Sequence, residues 1–261
     1  MPARSADGAL RGERMATILV RLREHGEVHA TDLAAEFGVS QATLRRDLAI
    51  LEEQGLCVRR YGGAVPTESS TELPVAYRDR RSKKEKAAVA AAAAKLLPAG
   101  PQTVGFTGGT TTSEIARVLS SRLDLVVVTN ALNIASEMAA KPRIRVVVSG
   151  GVARSQSTEL VGPWAESALA QASIGTAYIG VDGIDLTAGL TTHDPVEART
   201  NAVLLERAER VIVVADSSKV GRVLPGHIST IGAMHVLVTD DGITTEFMTA
   251  LEEHGVEVVI A

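Results

Sequence analysis

The chain has 261 residues, 45% of them hydrophobic but only 3% aromatic, a length that favours two domains or one large α/β domain and a composition that points to an Ala, Val, Leu and Ile core and argues against a stacking platform for single-stranded nucleic acid. The net charge of -4 is unevenly divided, at net +2 over residues 1–86 and net -6 over the rest, so any footprint on duplex DNA is local and N-terminal. The single cysteine, Cys57, excludes an internal disulfide and a multi-cysteine zinc site and fits a reducing compartment.

The segment Met1 to Gly12 is polar and Arg-bearing, without the apolar core of a signal peptide, and no stretch approaches the ~18 apolar residues that span a bilayer. The expectation is a soluble, cytoplasmic protein with no membrane contact. Met15, Ile18, Leu19 and Leu22 recur at the spacing of an amphipathic helix, with Arg14, Arg21 and Arg23 mostly facing away. A second, shorter helix is predicted from about Asp32 to Phe37, capped by Thr31 and ended at Gly38. Ser40 then caps a third helix, and Val39 and Leu44 stand where a hydrophobic staple sets the entry angle. Leu44, Leu48 and Leu51 form its inward stripe. Ala42 and Arg46 project opposite that stripe, with Thr43 and Arg45 on the flanks, so this face suits a DNA major groove, where Arg pairs with guanine O6 and N7 and Gln41 with adenine or phosphate. Asp47 turns partly toward the core, as a structural partner for an Arg.

After Gly55, the run Leu56 to Tyr61, then Gly62-Gly63, then Ala64-Val65 reads as a short hairpin. A hairpin beside such a helix is a wing, and Arg59 and Arg60 on it are placed for phosphate contacts. The alternative is a plain three-helix domain with solvated arginines. The DNA-binding residues expected are therefore Ser40, Gln41, Ala42, Thr43, Arg45, Arg46, Arg59 and Arg60. The stretch Val39-Ser40-Gln41-Ala42-Thr43-Leu44-Arg45-Arg46-Asp47-Leu48, followed by Arg60-Tyr61-Gly62-Gly63-Ala64, resembles the DNA-binding domain of the DeoR family of bacterial transcriptional regulators. That resemblance implies a repressor of sugar-catabolism genes.

Residues 66–81 show no apolar period and read as a linker between a winged helix-turn-helix domain, 1–65, and a second domain, 82–261. Ser82 and Glu85 form a capping box for an Ala-rich helix that runs to Leu97 and is stopped by Pro98 and Gly100. From there, short β-branched runs alternate with helical segments: Thr103 to Phe106, Leu125 to Thr129, Ile144 to Val148, Thr176 to Val181, Val211 to Ala215, Val236 to Thr239 and Val256 to Ile260. This pattern predicts an α/β domain with a mostly parallel sheet covered on both faces, and ligands in such sheets bind beyond the carboxyl ends of the strands.

Polar residues stand at those ends: Thr107, Gly108, Gly109, Thr110 and Thr111, then Asn130, Gly150, Gly151, Asp182, Asp185, Ser218 and Lys219. A Gly- and Thr-rich turn entering a helix offers free N–H groups and a helix dipole to an anion, and Lys219 adds a full positive charge. Neither a P-loop nor a Gly-x-Gly-x-x-Gly fingerprint follows the first strand, which disfavours triphosphates and dinucleotide cofactors. A phosphorylated small molecule is the expected ligand, with no cofactor, no metal and no catalytic residue. For Asp182 and Asp185, turn and capping chemistry is an equal alternative to ligand contact. His193 reads as a loop histidine, and Trp164 is expected to pack a helix.

Gly109-Thr110-Thr111, Thr129-Asn130, Gly150-Gly151, Gly180 to Asp185, Gly189-Leu190-Thr191 and Asp216 to Lys219 resemble the sensor domain of the same family. That domain is similar in fold to ribose-5-phosphate isomerase. The resemblance implies that Gly109, Thr110, Thr111 and Lys219 hold phosphate and that Asp182, Asp185 and Glu197 face the sugar. Two positions depart from the family pattern: Thr107 stands where an Asp is common, and Asn201 where a Lys often follows Glu197. The alternatives to a sugar-phosphate-responsive repressor are a phosphosugar isomerase with Glu197 as base, and a DNA-binding protein without an effector. A dimer or higher homo-oligomer is expected, since repeated or palindromic operators match protein symmetry.

Overall fold

The computed structural model describes residues 3–67, 72–78 and 83–261, and these fall into two units, Met1–Arg81 and Ser82–Ala261. In the first, the apolar stripe of α1 (Ala3–His25) is buried as its spacing predicts, and Met15, Ile18, Leu19 and Leu22 meet Leu33 of α2 (Ala30–Phe37) and Leu44, Leu48 and Leu51 of α3 (Gln41–Glu53) in one cluster. Helix α2 starts earlier than Thr31 suggested. The residues before it, Val28–His29, form a short strand β1, which leaves His29 extended at the helix start with no side-chain cap. The first amide, Ala30 N–H, donates instead to the Gly62 carbonyl at 2.8 Å. Thr31 is left to bond Asp32.

Gly38 ends α2 at φ 62°, and the Ser40 side chain accepts from Thr43 N–H at 3.2 Å to start α3, as the cap residues require. The hairpin is β2 (Cys57–Arg60) and β3 (Gly63–Pro66), and β1 adds to it in the order β1-β3-β2. Gly63 has no alternative residue there, because a Cβ would overlap the Val28 carbonyl oxygen of β1.

The segment read as a linker is partly folded into this unit. Leu73 is buried in the first core, and Tyr77 of the short helix α4 (Val75–Arg78) packs against it and reaches Gln54. Two apolar residues four apart give too little periodicity to register in sequence, so the docking is visible only in three dimensions. Ser82 of the expected capping box lies outside the described residues.

The second unit opens with α5 (Lys83–Lys95), β4 (Gln102–Phe106), α6 (Thr110–Leu119), β5 (Leu125–Thr129), α7 (Leu132–Ala139) and β6 (Ile144–Val148). A hairpin of β7 (Val152–Arg154) and β8 (Glu159–Val161) follows, then α8 (Pro163–Leu169), β9 (Ile174–Gly180), β10 (Gly183–Asp185), β11 (Gly189–Thr192) and α9 (Pro195–Glu206). The chain ends with β12 (Ala208–Val214), β13 (Gly226–Ser229), β14 (Val236–Thr239), α10 (Thr245–Glu253) and β15 (Glu257–Ile260). All seven predicted strands form one sheet, ordered β15-β14-β12-β9-β4-β5-β6, and its pairs are parallel.

Alternate residues of each central strand serve opposite faces. Val211 and Val213 join Leu169, Leu204 and Leu251 of α8, α9 and α10, whereas Ile212 and Val214 join Val89, Ile115 and Ile134 of α5, α6 and α7. Both faces are therefore covered, which is why the strands read as continuous apolar runs. Strands β9 and β12 begin ahead of the predicted residues, and β10, β11 and β13 form a small antiparallel sheet too short for a sequence pattern. Trp164 does not pack a helix: Ala165 and Leu169 take the buried face of α8, and the indole is 78% exposed.

Candidate nucleic-acid interface and the polar rim of the sheet

The outward face of α3 carries Gln41, Ala42, Arg45 and Arg46, all exposed, above a leucine underside that is fully buried. Thr43 is half-buried and shares a 2.9 Å hydroxyl contact with Ser40, so these two residues set the start of the helix. Among the described residues, Arg45, Arg46 and Arg60 enter no ion pair. Asp47 is the structural partner expected: buried to 1% exposure, it takes Arg11 Nε at 2.8 Å and Arg14 at 2.7 Å, tying α3 to α1.

Arg59 behaves differently from Arg60. Its Nε lies 2.6 Å from Glu52 Oε2 and its backbone N–H donates to Glu52 Oε1 at 2.9 Å. The backbone and guanidinium bonds from Arg59 hold the Glu52 carboxyl below its ordinary range. Arg59 thus clamps the wing to the end of α3. Tyr61, which the sequence reading passed over, stands fully exposed at the hairpin tip between Arg60 and Gly62. Its position before a glycine pair in a two-residue turn was the available signal.

In the second unit the carboxyl ends of the parallel strands lie along one rim, and hydrogen bonds connect several of the expected residues there. Thr107 is fully buried, and its hydroxyl accepts from Gly180 N–H at 2.9 Å. Gly109 caps α6 at φ 131°, a conformation left to glycine, with no side chain on the first-turn amides. Gly109 and Thr110 are half-buried and Thr111 is buried. A helix N-terminus of this kind carries the positive end of the helix dipole.

On the other side of the rim, Lys219 Nζ lies 3.1 Å from Asp182 Oδ1. The Thr192 hydroxyl bridges Asp182 Oδ2 at 3.2 Å and Glu197 Oε1 at 2.8 Å, and Arg154 reaches Glu197 Oε2 at 3.0 Å and Asp194 at 3.5 Å. Asp182, Glu197 and Lys219 are therefore brought together, Lys219 directly on Asp182 and Asp182 to Glu197 through Thr192, with Arg154 on the other oxygen of Glu197; sequence spacing singled out neither Thr192 nor Arg154.

Between the two sides runs a buried polar chain. Gly108 N–H donates to Glu159 Oε1, Asn201 Nδ2 lies 3.3 Å from Glu159 Oε2, and Asn130 Nδ2 donates to Asn201 Oδ1 at 2.9 Å. A Cβ on Gly108 would fall 2.5 Å from the Glu159 side chain and would displace it. Four expected residues take other roles. Asp185 Oδ1 caps the β10–β11 turn through Thr187 and Ala188 N–H, which lowers its pKa. Ser218 is tied to Asp216. Gly151 sits against Val161 and Ala165, and Gly150, at φ 70°, makes the exposed turn before it.

Two family models match the chain, the DeoR-like helix-turn-helix domain over residues 14–70 and the DeoR C terminal sensor domain over residues 81–241. The chain belongs to the DeoR family. Its DeoR relatives include a protein named as a putative aga operon transcriptional repressor in Escherichia coli O157:H7, 38% identical over 95% of this chain and 93% of that protein. The regulator GlpR of Haloferax volcanii is 33% identical over 96% of this chain and 98% of its own length, and the glycerol-3-phosphate regulon repressor of Escherichia coli K12 is 31% identical over 92% and 95%.

Among solved structures, ribose 5-phosphate isomerase A of Methanocaldococcus jannaschii aligns at TM-score 0.39 and 19% identity over 53% of this chain and 54% of the enzyme. Like its DeoR relatives, then, the chain is a transcriptional regulator that joins a DNA-binding helix-turn-helix domain to an α/β sensor domain. No described helix is long and apolar enough to cross a membrane.

Proposed function

We propose that this regulator is a cytoplasmic repressor of carbohydrate-metabolism genes, that it reads operator DNA with α3 and the wing, and that a phosphorylated sugar or related metabolite controls its grip. The observation that carries the sensing half is the rim itself: an uncapped α6 N-terminus at one end, and Lys219, Asp182, Thr192 and Glu197 joined by hydrogen bonds at the other. The first suits a phosphate and the second suits sugar hydroxyls. The relatives' names, which mention an aga operon and a glycerol-3-phosphate regulon, support the same ligand class.

Control requires unequal binding. A ligand that binds the DNA-competent and DNA-incompetent forms equally shifts nothing, and a hundredfold preference moves the equilibrium by about 2.7 kcal/mol. Duplex upstream of the gene and its neighbours, retarded by the pure protein and titrated with a panel of sugar phosphates, tests this. Release by one member is expected. Retardation unaffected by every member, with no thermal shift, refutes sensing.

Turnover is not part of the proposal. Glu197, the base an isomerase would need, has Oε1 engaged by Thr192 and Oε2 by Arg154. Formation of a ketose from ribose 5-phosphate by the pure protein would reverse this reading. Recognition of paired half-sites calls for a homo-oligomer, which sedimentation at operator-binding concentrations measures.

A further inference from the structure

The Asn130 side-chain oxygen has no hydrogen-bond partner although the residue is fully buried. Orphaned buried acceptors are rare and call for an explanation. Here the orphan follows from the direction of the hydrogen bonds that begin at Glu159. Glu159 Oε2 accepts from Asn201 Nδ2 at 3.3 Å, which turns Asn201 Oδ1 toward Asn130. Asn130 then donates its own Nδ2 to Asn201 Oδ1 at 2.9 Å, and its Oδ1 is left without a donor. The polarity of two amides is thus dictated by one buried acid.

The place of this chain in the rim is what gives it a use. At one end Glu159 binds the amide of Gly108, the residue before the glycine cap of α6. In the middle, Asn201 stands one helical turn after Glu197 on α9, hence on the same face as the Thr192 and Asp182 cluster. Asn130 directly follows β5, at the carboxyl edge where a ligand of a parallel sheet sits.

We propose that Glu159, acting through Asn201, fixes Asn130 as an acceptor for one hydroxyl of the effector, so that the sensor selects a polyol phosphate bearing a donor at that position. The inference rests on the phosphosugar reading above and adds a selection rule to it. Glu159 is a positioning residue in this scheme and touches no ligand. A site built to bond a hydroxyl rejects the analogue lacking it, because the protein group is then buried unpaired.

Glu159→Gln is the informative variant because it is nearly isosteric and reverses the chain. The new side chain keeps its oxygen on Gly108 N–H, which leaves an amide N–H toward Asn201; both asparagines then invert, and Asn130 presents a donor. Calorimetry on the full-length chain would use ribose 5-phosphate, glucose 6-phosphate, fructose 6-phosphate and glycerol 3-phosphate, with monodeoxy and monodeoxyfluoro counterparts of those that bind.

For the wild type, one deoxy position is expected to lose about tenfold in affinity, and its fluoro counterpart, which cannot donate, a similar factor. In E159Q the deoxy penalty should persist, because a hydroxyl also accepts from the inverted Asn130 amide, while the fluoro analogue, an acceptor, should regain affinity to within about threefold of the parent compound. Should E159Q melt at a sharply lower temperature, Asn130→Ala serves in its place, and the same single penalty should vanish. A fluoro penalty that is equal in wild type and E159Q, a deoxy penalty that survives Asn130→Ala, or a crystal structure of the liganded protein with an ordered water filling the Asn130 acceptor overturns the proposal. Absence of binding by every probe refutes the phosphosugar reading, and the selection rule with it.

Discussion

Replacing Asp47 with alanine should destabilise the reader domain without altering the surface that meets DNA. The carboxylate is 1% exposed and holds two arginines of α1, Arg14 at 2.7 Å with its side chain 13% exposed and Arg11 at 2.8 Å with 41%. Removing one partner of a buried pair costs about 3–5 kcal/mol, since the other charge stays desolvated. Arg11 already reaches water and Arg14 is close to it, which puts the loss near the lower end, about 3 kcal/mol. A domain of this size holds on the order of 5–10 kcal/mol in all, so the variant remains folded at 25 °C but loses a large share of its margin.

Urea denaturation of the full chain, followed by far-UV circular dichroism, should show the earlier of two transitions moving to lower urea, with the later one unchanged. Asp47→Asn keeps one acceptor and should lose less. Operator retardation at 25 °C should persist in both variants. A shift below about 0.5 kcal/mol in Asp47→Ala would mean that this ion triad does not join α1 to α3 and that leucine packing alone sets the helix angle.

Arg46→Ala should cost about 1–3 kcal/mol in operator binding and relax the base preference at one position, whereas Arg60→Ala should weaken all duplexes alike and lower the salt slope by about 1, both read by retardation at several salt concentrations. Lys219→Ala should abolish sugar-phosphate binding in calorimetry while leaving DNA binding in the absence of ligand intact. Glu52, whose folded pKa is depressed, contributes stability that is present above its unfolded pKa of about 4.3 and is lost as pH falls through the lower folded value; the protection factors of the wing amides, corrected for the intrinsic exchange rate, should therefore fall below about pH 4, and Glu52→Gln should remove that dependence. Burial pushes the Cys57 thiol up to about 11, so iodoacetamide at pH 8 should label the unfolded chain and spare the native one.

Most of the architecture is legible in one sequence because its signals are local. The Ser40 cap, the Gly38 terminator and the leucines of α3 need no knowledge of the rest of the chain, and the seven strands announce themselves as apolar runs because both sheet faces are covered. What escaped notice depends on partners far away in sequence. Glu159 is an acid in a short hairpin until Gly108 and Asn201, 51 and 42 residues distant, close on it. Arg154 and Thr192 acquire meaning only when Glu197 lies between them. The docking of Leu73 and Tyr77 is likewise a tertiary event, and Arg59 could be told from Arg60 only once Glu52 was seen beside it.

The division of α3 into a sealed underside and an open outer face carries an evolutionary consequence. Gln41, Ala42 and Arg46 contribute nothing to the leucine seam, so substitutions there should scarcely disturb folding, and with α3 as the proposed reader such changes would let duplicated copies of the gene drift toward new promoter sequences. Paralogues can thereby divide a genome among themselves while retaining one inherited scaffold.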